Sequence, residues 1–189
     1  MSIRGFQWQP ICMSSAVDTV RPLTRTRQYR EFTSEPVSDE TLDALVRVAR
    51  WSGSAGNAQP WRFIIVTDVD LIRRVAEMAM PQTRGLKTAM AALVISLPDD
   101  ASRESIDTYD DGRVAERILI AASMLGIGAG IQFIQKQFRP HVHEALGVPE
   151  GRFIRTIMAL GHPTDAAKRP RAATGEARLP LEELVEWRR

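Results

Sequence analysis

Four short apolar runs, separated by stretches with helical periodicity, constrain the fold of this chain most strongly. The runs cover residues 61–67, 91–97, 126–133 and 153–160. Each is long enough for a buried strand and too short for a typical core helix. Between them, apolar residues recur at the three- and four-residue spacing of amphipathic helices. The pattern therefore predicts a layered α+β or α/β domain.

The predicted helices have recognisable ends. Ser38 precedes two acidic residues and an apolar stripe, which indicates an N-cap and a helix over 39–51. Pro140 and Gly147 bracket a second short helical segment as its first turn and its stop. Further helices are predicted over 71–80, 114–125 and 180–187, a short helical turn over 86–90 and a polar loop over 98–111.

Length and composition are those of one folded domain. The chain has 189 residues, of which 44% are hydrophobic and 25% charged, close to globular averages. Residues 1–23 are expected to form a poorly ordered extension, and 24–189 a single domain. The one cysteine, Cys12, excludes an internal disulfide, and no apolar stretch approaches the length of a membrane span. A cytoplasmic location without membrane contact is expected.

Charge is distributed unevenly along the chain. The net charge of +2 argues against a nucleic-acid partner, which needs several clustered phosphate contacts. Residues 1–30 hold five Arg and one Asp, residues 168–189 hold six Lys or Arg and four Glu, and the stretch between them is acidic. The basic ends are either solvated tails or two parts of a site for one small anion. The charges alone leave both interpretations open.

Several familiar motifs are excluded. The glycines of 126–130 follow a helix and precede a strand, the reverse of a dinucleotide-binding turn. The small residues around Ser54 lack the spacing of a nucleophile elbow. His141 and His143 are two positions apart on a predicted helix, so they point in different directions and make a poor metal pair. No metal site is predicted.

Three separated segments together resemble the FMN-dependent nitroreductase family. Residues 24–66 carry an Arg-rich cluster, a helix, a loop of small residues and then Gln-Pro-Trp. Residues 109–130 resemble the central dimer helix of that family and its Leu-Gly-x-Gly exit, and 177–185 resemble its Arg-x-Pro-Leu tail. The resemblance implies an α+β fold in three layers, with a central, mainly antiparallel sheet flanked by helices. It also implies an interlocked homodimer whose C-terminal segments embrace the partner.

By this resemblance, both basic ends bind the phosphate of FMN. Thr26, Arg27 and Gln28 occupy the phosphate-side cluster, and Arg178 reaches the same phosphate from the C-terminal tail. A guanidinium suits this role because it can donate two parallel hydrogen bonds to a phosphate. Thr26 and Gln28 replace the first Arg and the Ser of the commoner Arg-Arg-Ser cluster.

The loop after the first predicted domain helix has a second role in the resemblance. Ser54 and Asn57 lie where the family's loop approaches the flavin across the dimer interface. Small residues there allow the backbone to come close to a ligand. Gly53 stands where the family usually has Pro, and this substitution bears on how the loop is kept rigid.

Two more segments are implied to lie beside the flavin ring. Lys87 falls where the family places a cation near flavin N1 and the C2 carbonyl, with Arg84 one turn earlier. A cation is useful at this edge because negative charge develops there on hydride uptake. Gln132 lies on the strand whose backbone faces flavin N5.

The resemblance implies a flavoenzyme that takes hydride from NADH or NADPH and reduces a nitroaromatic, a quinone or a similar small acceptor by ping-pong turnover. FMN would carry the chemistry, so no catalytic acid or nucleophile is expected in the protein. Two alternatives stay open. One is a dehalogenase or flavin-destroying relative, although the short connection over 98–111 leaves little room for the lid of such enzymes. The other is a flavin-binding or redox-sensing module without turnover.

Overall fold

The computed structural model describes residues 15–169 and 178–188. Within these ranges the helices are α1 (Ala16–Arg25), α2 (Asp39–Arg50), α3 (Val69–Met78), α4 (Glu104–Met124), α5 (Arg139–Leu146), α6 (Asp165–Lys168) and α7 (Leu181–Leu184). The strands are β1 (Arg62–Val66), β2 (Ala91–Pro98), β3 (Gly128–Phe133) and β4 (Arg152–Gly161). Short 3-10 helices cover Ala55–Asn57, Arg84–Lys87 and Lys136–Phe138.

The strands form one sheet in the order β1-β2-β4-β3, and every neighbouring pair is antiparallel. Strand β2 lies inside the sheet and is buried on both faces. Leu93 and Ile95 point to one face, and Ala92 and Val94 point to the other. A strand that is covered on both sides has no polar face, which explains the unbroken apolar run in its sequence.

Helices cover both faces of the sheet. On one face α2 and α4 contribute the fully buried Leu45 and Ile118. On the other face α3 and α5 contribute Ile72 and Val142. The result is a three-layer α+β domain with an antiparallel sheet, as predicted. The interlocked homodimer stays a prediction.

Local signals set several element boundaries as expected. The hydroxyl of Ser38 accepts a hydrogen bond from the Thr41 N–H at 3.2 Å and caps α2. Gly147 follows α5 with a φ of 60°, the left-handed conformation that commonly ends helices at glycine. All four predicted strands are present, each within a few residues of the predicted range.

Two predicted boundaries are wrong. Helix α4 begins at Glu104, so residues 104–111 are helical and not part of a loop. The stretch looks polar because it contains Asp107, Asp110 and Asp111, and all three are buried through specific partners. The C-terminal helix spans only Leu181–Leu184 instead of 180–187. Residues 178–188 are all exposed in the single chain, and packing is what normally stabilises so short a helix.

The N-terminal part is helical from Ala16 onward. Helix α1 falls largely within the stretch predicted as an extension, and none of its residues is buried. Residues 1–14, with Cys12, lie outside the described residues. Within the described part of the chain, no helix is both long and apolar enough to cross a membrane.

Candidate functional site

The segment that follows α1 docks on the edge strand β3. The Tyr29 N–H donates to the Ala129 carbonyl at 2.8 Å, and the Ile131 N–H donates to Gln28 Oε1 at 3.1 Å. Gly130 lies between these two bonds, and a Cβ at this position would overlap the Tyr29 carbonyl oxygen. Glycine in the middle of a strand often marks such a close approach of another backbone. The predicted phosphate-side segment is thereby tied to β3.

Gln132 ties a second predicted segment to the same strand. Its side chain is fully buried, with Oε1 accepting from the Gly85 N–H at 3.0 Å and Nε2 donating to the Gly130 carbonyl at 3.1 Å. A Cβ at Gly85 would lie 2.6 Å from Gln132 Nε2, so the turn packs directly on this amide. The Gln132 side chain therefore positions the turn Arg84–Lys87 and presents no atom to a ligand.

The turn Arg84–Lys87 carries two exposed cations. Lys87 Nζ lies 3.1 Å from Glu77 Oε1 on α3, and both side chains are about half exposed. Arg73 on α3 stabilises the turn by donating hydrogen bonds to the carbonyls of Leu86 and Ala89. Burial lowers the pKa of Arg73 from its usual value, although the charge of Asp70 opposes this effect. The guanidinium remains charged at any physiological pH.

A cleft of about 460 Å³ opens beside the segment that docks on β3. Arg27 donates from Nε to the Tyr29 hydroxyl at 3.1 Å and from Nη1 to the Arg169 carbonyl at 3.3 Å. It also donates to the carbonyl of Lys168. Residues from both ends of the domain line the cleft, and they include three arginines and one acidic residue: Arg27, Gln28, Tyr29, Arg30, Glu31, Ala166, Ala167 and Arg169.

Two predicted phosphate-binding residues, Thr26 and Arg178, are not among the residues that line this cleft. Thr26 ends α1, and its hydroxyl donates to the Pro22 carbonyl at 3.2 Å. Arg178 is exposed, and across residues 15–169 and 178–188 it makes no hydrogen bond or ion pair with the segment 26–28. The structure brings Arg27 and Gln28 together with β3 but does not bring Arg178 to them.

The loop of Ser54 and Asn57 lies against α4. Ser54 Oγ accepts from the Gln59 N–H at 2.9 Å, and the Ala55 N–H donates to Asp110 Oδ2 at 2.8 Å. Asn57 is exposed. In the described ranges, no hydrogen bond joins this loop to the segment 26–28 or to the turn Arg84–Lys87 of the same chain.

Sequence reasoning missed the acidic residues on α4. Asp110 is fully buried and holds the loop, and Asp111 Oδ2 accepts from the Thr156 hydroxyl at 2.6 Å. Burial raises the pKa of Asp111 to about 6, against the opposing effects of the Thr156 hydrogen bond and the charge of Arg155. The sequence does contain one signal for these residues. Asp110 and Asp111 lie four and three positions before Val114, so a helix extended toward the N-terminus would place them on the buried face.

A groove of about 900 Å³ runs along the outer face of α4 beside α2. Its lining includes Tyr109 and Met124, which are 70% and 81% exposed, and Trp51 nearby is 78% exposed. A contiguous apolar patch of this kind usually marks an interface. The C-terminal segment adds further exposed apolar side chains, namely Leu179, Leu181, Leu184, Val185 and Trp187.

None of the described residues form a cluster of three or more His, Cys, Asp or Glu that could hold a metal ion. The two histidines of α5 have separate environments. His143 Nε2 accepts from the Ile154 N–H at 2.9 Å, so its imidazole is neutral and joins α5 to β4. His141 is exposed.

Comparisons with known proteins agree with these features. The family model described as "Nitroreductase family" matches residues 23–105. A protein of Archaeoglobus fulgidus, provisionally named NADH dehydrogenase/NAD(P)H nitroreductase, is 32% identical over 144 residues, covering 74% of this chain and 82% of the relative. The FMN reductase [NAD(P)H] of Bacillus subtilis is 24% identical over 174 residues, covering 82% of this chain and 70% of that protein.

A solved structure shares the fold. An FMN-dependent nitroreductase from Clostridium difficile superposes with a TM-score of 0.75 at 21% identity, covering 89% of this chain and 98% of that one. At this level of identity the likeness concerns the arrangement of helices and strands.

Proposed function

The chain belongs to the nitroreductase family, and from that premise we propose that it is an FMN-dependent oxidoreductase. It takes hydride from NADH or NADPH and reduces a nitroaromatic, a quinone or a similar small acceptor by ping-pong turnover. When bound, FMN supplies the redox chemistry, because it accepts a hydride and passes electrons to the acceptor. The names of the relatives above support the oxidoreductase class.

One observation carries the proposal, namely the meeting of two predicted cofactor segments on one strand. The segment 26–31 and the turn Arg84–Lys87 are both hydrogen-bonded to β3, through Gln28 and through Gln132. The two segments that carry Arg27 and Lys87 therefore both contact the edge strand of the sheet. This donor set fits FMN, which needs strong donors for a phosphate dianion and a cation at the ring edge.

Arg27 is the proposed main phosphate ligand. Its guanidinium already lies across the cleft, where it donates to the neutral carbonyls of Lys168 and Arg169. A phosphate oxygen is a better acceptor, since charge-assisted hydrogen bonds are about twice as strong as neutral ones. Thr26 and Gln28 flank this position, and Arg178 is proposed to join it from the C-terminal tail.

Lys87 is the proposed cation at the ring edge, and Arg84 supports it from the same turn. Glu77 orients the ammonium group at 3.1 Å. A positive charge held in place stabilises negative charge that develops during reduction more than it stabilises the oxidised state. Gln132 keeps the turn against β3 and so fixes where this charge lies.

The homodimer is part of the proposal. The groove along α4 and the exposed Trp51, Tyr109 and Met124 supply an apolar surface for a second copy, and α7 with its neighbours supplies another. Ser54 and Asn57 would then reach the FMN of the partner subunit, which agrees with the absence, among the described residues, of hydrogen bonds from this loop to the segment 26–28 or to the turn Arg84–Lys87 of its own chain. Light scattering tests this directly, with an expected mass about twice 21.1 kDa.

The connection between β2 and α4 covers only residues 99–103. It offers no lid over the site, which favours a simple acceptor over the dehalogenase alternative.

Turnover kinetics test the proposed reaction. Initial rates with NADH or NADPH and a quinone, measured at several fixed quinone concentrations, should give parallel double-reciprocal lines. Denaturation of the purified protein should release FMN and not FAD. Bound flavin without measurable turnover would support the redox-sensing module instead, and a protein that takes up no FMN would refute both.

A further inference from the structure

Asp110 connects the loop of Ser54 and Asn57 to the body of the domain. The carboxylate is fully buried on α4, and both of its oxygens have partners. Oδ2 accepts from the Ala55 N–H at 2.8 Å, and Oδ1 accepts from Arg113 Nη1 at 3.1 Å. A charged acceptor makes a stronger bond to a backbone N–H than a neutral one. The loop is therefore held by one buried group across 55 positions of sequence.

Arg113 extends this contact to the start of the loop. A Cβ at Gly53 would lie 2.5 Å from Arg113 Nη2, so the guanidinium occupies the space that a larger residue would fill. In the family that the sequence resembles, Pro usually stands at this position, and a proline ring restrains the backbone by itself. Glycine provides no such restraint. The contacts of Asp110 with Ala55 and of Arg113 with Gly53 can restrain the loop where the proline ring is missing.

The loop needs a restraint because its backbone is unusual. Gly56, Asn57 and Gln59 have φ values of 58°, 54° and 48°, in the left-handed region that non-glycine residues seldom adopt. Residues 55–59 are all exposed, so their side chains contribute little packing. A loop with few buried contacts opens readily unless specific hydrogen bonds hold it.

We propose that Asp110 and Arg113 are positioning residues, which hold the Ser54–Asn57 loop in the conformation that meets the flavin of the partner subunit. This inference rests on the proposed function, because FMN is the ligand that the loop contacts. It also explains how the chain tolerates Gly53 in place of Pro. Neither residue is proposed to contact the cofactor.

The same helix provides a matched control. Asp107 is also fully buried, and it pairs with Arg103 at 3.1 Å, the same distance as the Asp110–Arg113 pair. The arginine side chains are 40% and 44% exposed. Asp107 makes no hydrogen bond to the loop in the described part of the chain. Asp107→Asn therefore removes a similar charge without removing the contact to Ala55.

The test compares Asp110→Asn and Asp107→Asn in the purified, FMN-loaded protein. Two rates are measured: amide hydrogen exchange over residues 54–59, and FMN release after dilution, followed by flavin fluorescence. Loss of a charge-assisted bond should speed both rates about tenfold in Asp110→Asn. Asp107→Asn should leave both rates within about twofold of the wild type, whatever its melting temperature, because both rates follow local opening of the loop and the partner of Asp107 in the described part of the chain is Arg103 and not the loop.

Arg113→Gln keeps the inference testable if Asp110→Asn does not fold, since Arg113 is partly exposed. Arg113→Gln should loosen the loop in the same way. Arg113→Lys should loosen it less, because lysine keeps the positive charge beside Asp110. Light scattering on each variant checks that the oligomer is unchanged. Unaltered loop exchange in both Asp110→Asn and Arg113→Gln would overturn the inference, and so would an equal effect of Asp107→Asn. A wild-type chain that holds no FMN would instead overturn the proposed function, while loop exchange would still test the restraint.

Discussion

Replacing Gly130 with alanine tests whether the proposed cofactor site depends on docking of the N-terminal segment on β3. The new Cβ would overlap the carbonyl oxygen of Tyr29 and lie 3.3 Å from its carbonyl carbon. Because this neighbour is backbone, it cannot rotate away as a side chain could. The segment must shift by about 1 Å, or the strand must stay overpacked.

Both outcomes destabilise the fold to a similar extent. A shift breaks the Tyr29–Ala129 and Ile131–Gln28 hydrogen bonds, now 2.8 and 3.1 Å long, at about 1 kcal/mol each. An overpacked strand loses about 1–3 kcal/mol. Alanine recovers about 0.5–1 kcal/mol, since it is less flexible than glycine in the unfolded chain. After this recovery is subtracted, we expect Gly130→Ala to lower the free energy of unfolding by about 1–2 kcal/mol.

Urea unfolding and FMN titration measure the two consequences. Ala129→Gly is the control, because it loosens the same strand by about 1–2 kcal/mol and leaves Tyr29 its space. FMN affinity should fall at least about tenfold in Gly130→Ala, since Arg27 and Gln28 move with the segment, and it should stay near the wild-type value in Ala129→Gly. Wild-type stability and FMN affinity in Gly130→Ala would refute the argument.

Four further predictions concern charge. Burial raises the pKa of Asp111 to about 6, so the stability that its neutral form provides at low pH is lost as the pH rises through 6. Urea unfolding from pH 4 to pH 7 should show the wild type losing about 3 kcal/mol relative to Asp111→Asn, and parallel curves would contradict this. Burial, aided by the charge of Arg139, lowers the pKa of His143, so its contribution is present at neutral pH and is lost as the pH falls through the lowered pKa. An NMR titration that gave His143 a pKa above 6.5 would disprove this assignment. Arg178→Ala should weaken FMN binding about 10- to 100-fold and leave turnover by the retained flavin intact, whereas Lys87→Ala should lower the flavin midpoint potential and slow hydride uptake more than it weakens binding. An unchanged potential in Lys87→Ala with full FMN occupancy would make Arg84 the next candidate.

The positions of the strands along the chain are easier to predict than their order in the sheet. The run 91–97 is apolar throughout because β2 is buried on both faces, and this property is visible in the sequence. The order β1-β2-β4-β3 depends on contacts between residues far apart, such as Ala91 with Leu160. No local pattern specifies such pairings.

The polar start of α4 shows a second limit. Apolar periodicity identifies a helix only where the helix buries apolar residues, and residues 104–111 bury carboxylates instead. Asp111 Oδ2 accepts a hydrogen bond from the hydroxyl of Thr156, which is 45 positions away in sequence. Apolar periodicity therefore predicts only the part of α4 from Val114 onward and leaves residues 104–111 with the sequence character of a loop.

The segments that form the candidate site are predictable from the sequence, but the buried side chains that hold these segments in place are not. The resemblance points to Arg27, Lys87 and the strand of Gln132, but no motif indicates that the buried side-chain amide of Gln132 holds the turn Arg84–Lys87. Asp110 was missed because its role depends on a contact with the backbone of Ala55, which any residue could supply. Supporting groups of this kind carry no sequence motif of their own.

We propose above all that this chain reduces a small acceptor through bound FMN with electrons from a nicotinamide nucleotide. Anaerobic mixing of the purified protein with NADH or NADPH, followed through the visible absorbance of the bound flavin, tests it most directly. We predict that the absorbance bleaches within the turnover time and returns fully when a quinone or nitroaromatic is added. A bound flavin that neither nucleotide bleaches, or a protein that shows no flavin absorbance even after incubation with FMN, would rule out the proposed function.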